Sequence, residues 1–286
     1  MKISAMNLLI ASSLGDIKSI KELLDNGADI NVSNFFGENS LMMSIFFSRT
    51  DTMHFLLKNG ANINHRDNSG KTVLMISSQY NHIKITEELV KLCDVNAIND
   101  EGRTALMFAI SNNNIDIVNI LLNSGARPDI KDNAKWTPFI YASYIGNIDI
   151  CNILIKKDVD IFAKTVFGVN AFMWATLNNH KHIVELLLYS YNFDIEDKDI
   201  YGRTAVSYAI EGKNFDILKL LLKNNASIDK FCSRIMSTYV VNILRCELAW
   251  RRRKHYIIFI QSIKSIKDTH NIFHNKDYIR KICSYI

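Results

Sequence analysis

The chain has 286 residues, 48% of them hydrophobic and 22% charged, with only 2 prolines and 11 glycines. This is a globular composition, which excludes a collagen-like or low-complexity chain and long Pro/Gly-rich linkers. The net charge of +5 is uneven: residues 231–286 carry 11 Lys and Arg against 3 acids, net +8, so residues 1–230 stand at −3, which argues against general nucleic-acid affinity.

The start, "MKISAMNLLIASSLGD", has one lysine and a short apolar run, so no targeting segment is expected. The tail's most apolar run, "YIIFI", is far too short for a transmembrane span. The 5 cysteines are odd in number and lack CxxC spacing. They point to a reducing compartment: the cytoplasm, with the nucleus second.

From the N-terminus onward one pattern repeats. Its anchor is a glycine, or a substitute for it, before a helix start: Gly37, Gly70, Gly102, Lys135, Gly168 and Gly202, spaced 33, 32, 33, 33 and 34 residues apart. An earlier unit is visible in "LGDIKSIKELLDNGADIN", which makes seven over residues 1–230. A period of this length predicts a stacked solenoid.

Each unit reads as two short helices. Thr72, Thr104, Thr137 and Thr204 are positioned as hydroxyl N-caps of the first helix. Asn or Gly between the helices tolerates the left-handed backbone of a tight turn. In the second helix Ile117, Val118, Ile120, Leu121 and Leu122 form an apolar side, and "NGAD", "NGAN" and "SGAR" supply a C-terminal glycine. The third unit lacks that glycine before "CDVN", and the sixth has an extra residue in "YSYNFDIE". Local distortion is expected at both.

Residues 231–286 have no repeat anchor. Ile235, Tyr239, Val240, Ile243, Leu244 and Leu248 recur at helical spacing, which predicts a helical cap on the stack. The basic cluster Arg251–Lys254 reads first as solvated helix surface, then as a nuclear-localisation, nucleic-acid, membrane or acidic-partner patch.

"GKTVLMISS", "GRTALMFAI", "WTPFIYAS" and "GRTAVSYAI", with "LLDNGADIN" and "LLKNGANIN", resemble the ankyrin repeat family over about four fifths of the chain. The family's Thr-Pro-Leu-His survives only as Thr137-Pro138-Phe139-Ile140, and Met42, Met75, Met107, Ile140, Met173 and Ser207 fill the histidine position. The resemblance implies an all-α solenoid of seven units over 1–230 with a helical cap over 231–286. It also implies a monomeric protein-interaction module, without catalysis or cofactor, whose partner is another protein.

The family architecture further implies which positions face the concave side: two before the anchor, one after it, and two ending the first helix. Nine aromatics occupy those slots: Phe35, Phe36, Phe46, Phe47, Tyr80, Trp136, Tyr144, Phe167 and Tyr201. Rings left in water await a partner. The candidate partner-binding residues are therefore Phe35, Phe36, Tyr80, Arg103, Trp136, Tyr144, Phe167, Tyr201 and Arg203. On this reading, replacing Trp136 and Tyr144 by alanine removes partner capture with little change in melting temperature. Phe46 and Phe47 are the rings expected to fold back, and Phe108, Tyr141, Trp174 and Tyr208 are expected in the core.

Two lesser likenesses concern modification and recruitment. The tail is similar to segments that follow ankyrin arrays in large DNA viruses and some algae, and "NKDYIRKICSYI" distantly resembles the first helix of an F-box. The alternative function is therefore an adaptor whose tail recruits ubiquitin-ligase machinery. Asn31 matches the spacing of family asparagines that are hydroxylated. The 8 histidines are scattered, and neither a phosphate-binding loop nor a metal-ligand spacing is present.

Overall fold

A computed structural model describes residues 3–227. The expected cap, the basic cluster and the F-box-like segment lie outside the described residues.

Seven helix pairs follow one another: α1 Ile3–Leu14 with α2 Ile17–Asp25, α3 Ser40–Phe46 with α4 Thr50–Lys58, α5 Val73–Gln79 with α6 Ile83–Leu89, α7 Ala105–Ser111 with α8 Ile115–Asn123, α9 Pro138–Ile145 with α10 Ile148–Ile155, α11 Ala171–Leu177 with α12 Lys181–Ser190, and α13 Ala205–Glu211 with α14 Phe215–Lys223. Among the described residues the only extended pairing is isolated bridges at Ser33–Asn39, Ile98–Thr104 and Lys164–Asn170. The all-α solenoid read from the sequence is the observed architecture.

Local chemistry sets each boundary. Thr72, Thr104 and Thr137 accept the N–H of the residue three positions on, and Asn39 and Asn170 do the same where threonine is missing. Thr204 stands at the equivalent position before α13. In the five bonded caps the acceptor serves the residue in the family's histidine position. Those side chains, Met42, Met75, Met107, Ile140, Met173 and Ser207, are buried, and in the first five of these the substitution is apolar packing. The inter-helix turns have positive φ at Gly15, Ser48, Asn81, Asn113, Gly146, Asn179 and Lys213.

One continuous core cluster runs through all seven units, with Val169, Met173 and Tyr208 as a small second cluster. First helices pack on first helices from α1 to α13, and small residues make that approach close: Ala105, Ala109, Ala142, Ala171, Ala175, Ala205 and Ala209 are all buried. Second helices contact their successors from α6 to α14.

The inter-helix residue of one unit then ties the stack together by donating backwards. His82 Nε2 bonds the Phe46 carbonyl at 3.1 Å and His180 Nε2 the Tyr144 carbonyl at 2.9 Å. Asn114 and Asn214 each reach two carbonyls that end the preceding first helix. These bonds satisfy carbonyls that a helix end leaves open. His180 is thus a structural turn residue.

Both irregular units depart from the others. α6, without its glycine, stops after seven residues, whereas α4, α8 and α14 have nine. α12 extends to ten residues and is followed by Asn192 at φ 54. The following Phe193 is buried and stacks on Phe162 at 4.6 Å and on Phe172 at 5.8 Å.

Candidate functional site

The anchor turns project beyond the helices as a row of tips. Each tip is closed by a side chain three residues before its anchor. Asp132 Oδ1 accepts from the backbone N–H of Ala134 and Trp136, and Asp199 Oδ1 from Tyr201 and Arg203. Successive tips are linked through the backbone: Asn68 N to Phe36 O, Asp100 N to Ser69 O, Asn133 N to Glu101 O, Val166 N to Ala134 O and Ile200 N to Phe167 O, all 2.9–3.1 Å.

From the third unit onward, the residue after the anchor lies against a residue six after an anchor, in its own unit, in the next, or in both. Lys71 Nζ stands 5.3 Å from the Phe108 ring centroid. The Arg103 guanidinium is 4.4 Å from Phe108 and 5.1 Å from Tyr141. Trp136 is 4.9 Å from Tyr141 and 4.8 Å from Trp174. Val169 packs with Tyr208, and Arg203 lies 4.7 Å from the same ring. Cations, rings and Val169 thus form one ladder over five units, a geometry that includes both cation–π and ring–ring contact. Tyr144 stands edge-on to it, 5.6 Å from Trp136 and 5.4 Å from Trp174.

Two aspartates underpin the ladder. Tyr141 Oη donates to Asp132 Oδ2 and Tyr208 Oη to Asp199 Oδ2, both at 2.7 Å. Burial, reinforced by these carboxylates, holds both phenols above their ordinary range. Burial works to raise the Asp199 carboxyl as well. Hydrogen bonds from Tyr208, from the Arg203 backbone and guanidinium and from Tyr201 outweigh it, and the net direction is downward.

The sequence-selected residues divide by environment. Phe35 is 90% exposed and Phe36 67%; Phe47, Tyr80, Tyr144, Phe167 and Tyr201 are exposed as well. Phe46 is half-buried, 4.5 Å from Tyr80, and Phe47 keeps an edge contact with Phe46. Trp136 is half-buried among three rings, so its truncation disturbs packing, contrary to the expectation of an unchanged melting temperature. Arg103 is engaged by Phe108, Tyr141 and Ser111 Oγ. Arg203 is engaged by Asp199, Tyr208 and Glu211. Phe108 and Tyr208 are buried as expected, whereas Tyr141 and Trp174 are only half-buried and belong to the ladder. The signal for them was the aromatic run at anchor-plus-six, Phe108, Tyr141, Trp174 and Tyr208, read together with the residues after each anchor. Asn31 Oδ1 accepts the Asn62 N–H at 2.8 Å, joining two units.

The family profile of ankyrin repeats matches in three copies, over residues 8–99, 87–165 and 159–232. The chain belongs to the ankyrin repeat family. Ankyrin repeats are protein-interaction modules rather than a catalytic fold. The array is 29% identical to a putative ankyrin repeat protein of fowlpox virus (strain NVSL) over 42% of this chain and 28% of that protein. It is 22% identical to an ankyrin repeat protein of vaccinia virus (strain Copenhagen) over 72% of this chain and 37% of the relative. It is 31% identical to the Homo sapiens transient receptor potential cation channel subfamily A member 1 over 78% of this chain and 24% of the channel. The ankyrin chain thus spans well under half the length of each. Among its described residues no helix is long and apolar enough to cross a membrane, and no three His, Cys, Asp or Glu side chains group as a metal site.

Proposed function

We propose that this chain binds a partner protein through its concave and tip surface, with Tyr144, Phe167 and Tyr201 at one end and Phe35, Phe36 and Tyr80 at the other. The observation that carries this reading is that, of the nine aromatics in the concave slots, seven are exposed and two are half-buried; none is buried. Exposed rings lose little conformational freedom on binding and remove much apolar area from water. The half-buried ladder beneath holds Tyr144 in place before contact, which reduces the ordering cost of association. We read the protein as a monomer of the cytoplasm or nucleus, without catalytic activity; light scattering on the full chain tests the first point.

The test uses two surface variants, Tyr144→Ala/Phe167→Ala and Phe35→Ser/Phe36→Ser, in the full chain. Partner capture, quantified by affinity purification and mass spectrometry, is expected to fall in both while the melting curve stays close to that of the unsubstituted protein. Retention of the same captured proteins by both variants overturns the reading.

A further inference from the structure

Taken in order, the tips differ in chemistry. The second unit presents Phe35 and Phe36, but the next three tips are polar or small: Asn68 and Ser69, Asp100 and Glu101, Asn133 and Ala134. The sixth and seventh present Val166 with Phe167 and Ile200 with Tyr201, all exposed. These two tips adjoin, since the Ile200 N–H donates to the Phe167 carbonyl. Among the described residues they are the only neighbouring tips whose exposed side chains are all apolar.

A row of lysines borders them. Lys131, Lys164 and Lys198 stand four residues before the anchors of the fifth, sixth and seventh units, and all three are exposed. The residue that follows each lysine, Asp132, Thr165 or Asp199, is buried, and the next, Asn133, Val166 or Ile200, is exposed. In the sixth and seventh units a cation and an apolar tip therefore flank one buried side chain. In the third unit Arg66 holds the same position, with its guanidinium on the Ile98 carbonyl, and Ile98 fills the position in the fourth.

Most of this charge is not neutralised in place. Lys164 Nζ pairs with Asp197, but Lys131, Lys198 and the exposed anchor Lys135 make no ion pair among the described residues. Asp132 is buried and committed to Tyr141, and Asp199 to Tyr208 and Arg203. The patch is positive although residues 1–230 carry a net charge of −3. The fourth tip bounds it with the opposite sign: Glu101 pairs with Arg103 of its own unit at 4.0 Å, and Asp100 is exposed.

We propose that the tips of the fifth to seventh units bind an acidic segment of a partner protein that carries apolar residues between its carboxylates. The carboxylates meet Lys131 and Lys198, and the apolar side chains cover Val166, Phe167, Ile200 and Tyr201. This rests on the partner reading above and narrows it in place and chemistry. Opposite charge guides approach and register, whereas the apolar contact removes area from water. Units stack about 10 Å apart, so Lys131 and Lys198 are separated by roughly 20 Å. An extended segment spans that distance in about six residues.

Selection of random phage-displayed peptides on the full chain tests it. Enriched peptides are expected to be net acidic and to contain aromatic or large aliphatic residues. One such peptide, synthesised and followed by fluorescence anisotropy, is expected to bind about tenfold more weakly to Lys131→Glu/Lys198→Glu and to Val166→Ser/Phe167→Ser. Binding to Phe35→Ser/Phe36→Ser is expected to be unchanged, and binding to the unsubstituted chain to weaken as salt rises. All the substituted side chains are exposed, and melting curves check that each variant is folded. Enriched peptides that are neutral or basic, or acidic ones that bind the lysine variant as well as the unsubstituted chain, overturn the proposal. So does the absence of any enrichment over an uncoated surface, or tighter binding of oligothymidylate than of the acidic peptide. Neutral peptides that bind the unsubstituted chain and not Tyr144→Ala/Phe167→Ala overturn the acidic specificity while the partner reading stands.

Discussion

The ring centroids of Trp136 and Trp174 lie 4.8 Å apart with planes inclined at 37°, so the residue after one anchor is in direct contact with the first helix of the next unit. The same relation joins Lys71 to Phe108 and Arg103 to Tyr141. In a quasi-one-dimensional array, nearest-neighbour contacts of this kind set how far cooperativity extends. The ladder is therefore part of what couples the third to the seventh unit, besides forming the floor of the candidate surface.

Trp136→Ala is expected to destabilise the array by about 2 kcal/mol, below the cost for a fully buried tryptophan because the ring is half-buried. A double-mutant cycle with Trp174→Ala is expected to return a coupling of about 1 kcal/mol. Urea denaturation of the four proteins measures both. Additive effects would mean that the rings touch without contributing to the interface between the two units.

The anchors offer an opposed pair of substitutions. Gly102 has φ 78, and a Cβ there would lie 2.7 Å from Asn133 Oδ1 and 2.9 Å from its backbone N. Gly102→Ala meets both strain and collision, and about 2 kcal/mol of stability is expected to be lost. Lys135 holds the equivalent position at φ 61 with a side chain present. Lys135→Gly relieves the left-handed strain at an entropic cost in the unfolded chain, so a gain of up to about 1 kcal/mol is expected. Thermal melts of the two variants should shift in opposite directions.

The sequence displayed the units, their caps and their turns, because each depends on interactions within about ten residues: Thr104 with Met107, Asp132 with Trp136, Gly102 with its own φ. It also identified the exposed rings at Phe35, Phe36, Phe167 and Tyr201. What it left hidden lies between units. Whether Trp174 or Tyr141 is covered depends on the residue after an anchor about 38 positions earlier, in the preceding unit. A slot within one unit says which side a residue takes and leaves open what the neighbour places over it. Arg203 is committed to Asp199 and Glu211 within its own unit, which its slot alone did not display.

Thiol chemistry gives a prediction on kinetics rather than stability. Burial raises the Cys93 thiol to about 11, with Asp94 adding to the effect, and burial raises Cys151 to about 12. Relative to the ordinary value of 9.0, two units remove about 99% of the reactive thiolate at neutral pH. Cys93 in the native chain is expected to react with iodoacetamide about 100-fold more slowly than an unperturbed thiol, and Cys151 more slowly still. Site-resolved alkylation by mass spectrometry checks this, and rapid labelling of Cys151 in folded protein would contradict the buried position between α9 and α10.

Acid stability tests the base of the ladder. The folded-state pKa of Asp199 lies below its unfolded value, because the hydrogen bonds from Tyr208, Arg203 and Tyr201 outweigh burial. A depressed carboxylate contributes stability that is full above the unfolded value, about 3.9, and is lost as pH falls through the lower, folded value. Stability should therefore decline below about pH 4, partly through this group. Asp199→Asn keeps an oxygen for the Tyr201 and Arg203 N–H groups but removes the charge facing Arg203. A loss of about 2 kcal/mol at neutral pH is expected, together with a flatter stability profile on the acid side. Tyr208→Phe removes one of the donors that hold the carboxylate down and should shift the acid limb upward in pH with a smaller neutral-pH loss. Urea midpoints measured from pH 3 to pH 7 separate the two, since a structural defect alone lowers the whole curve without changing its slope.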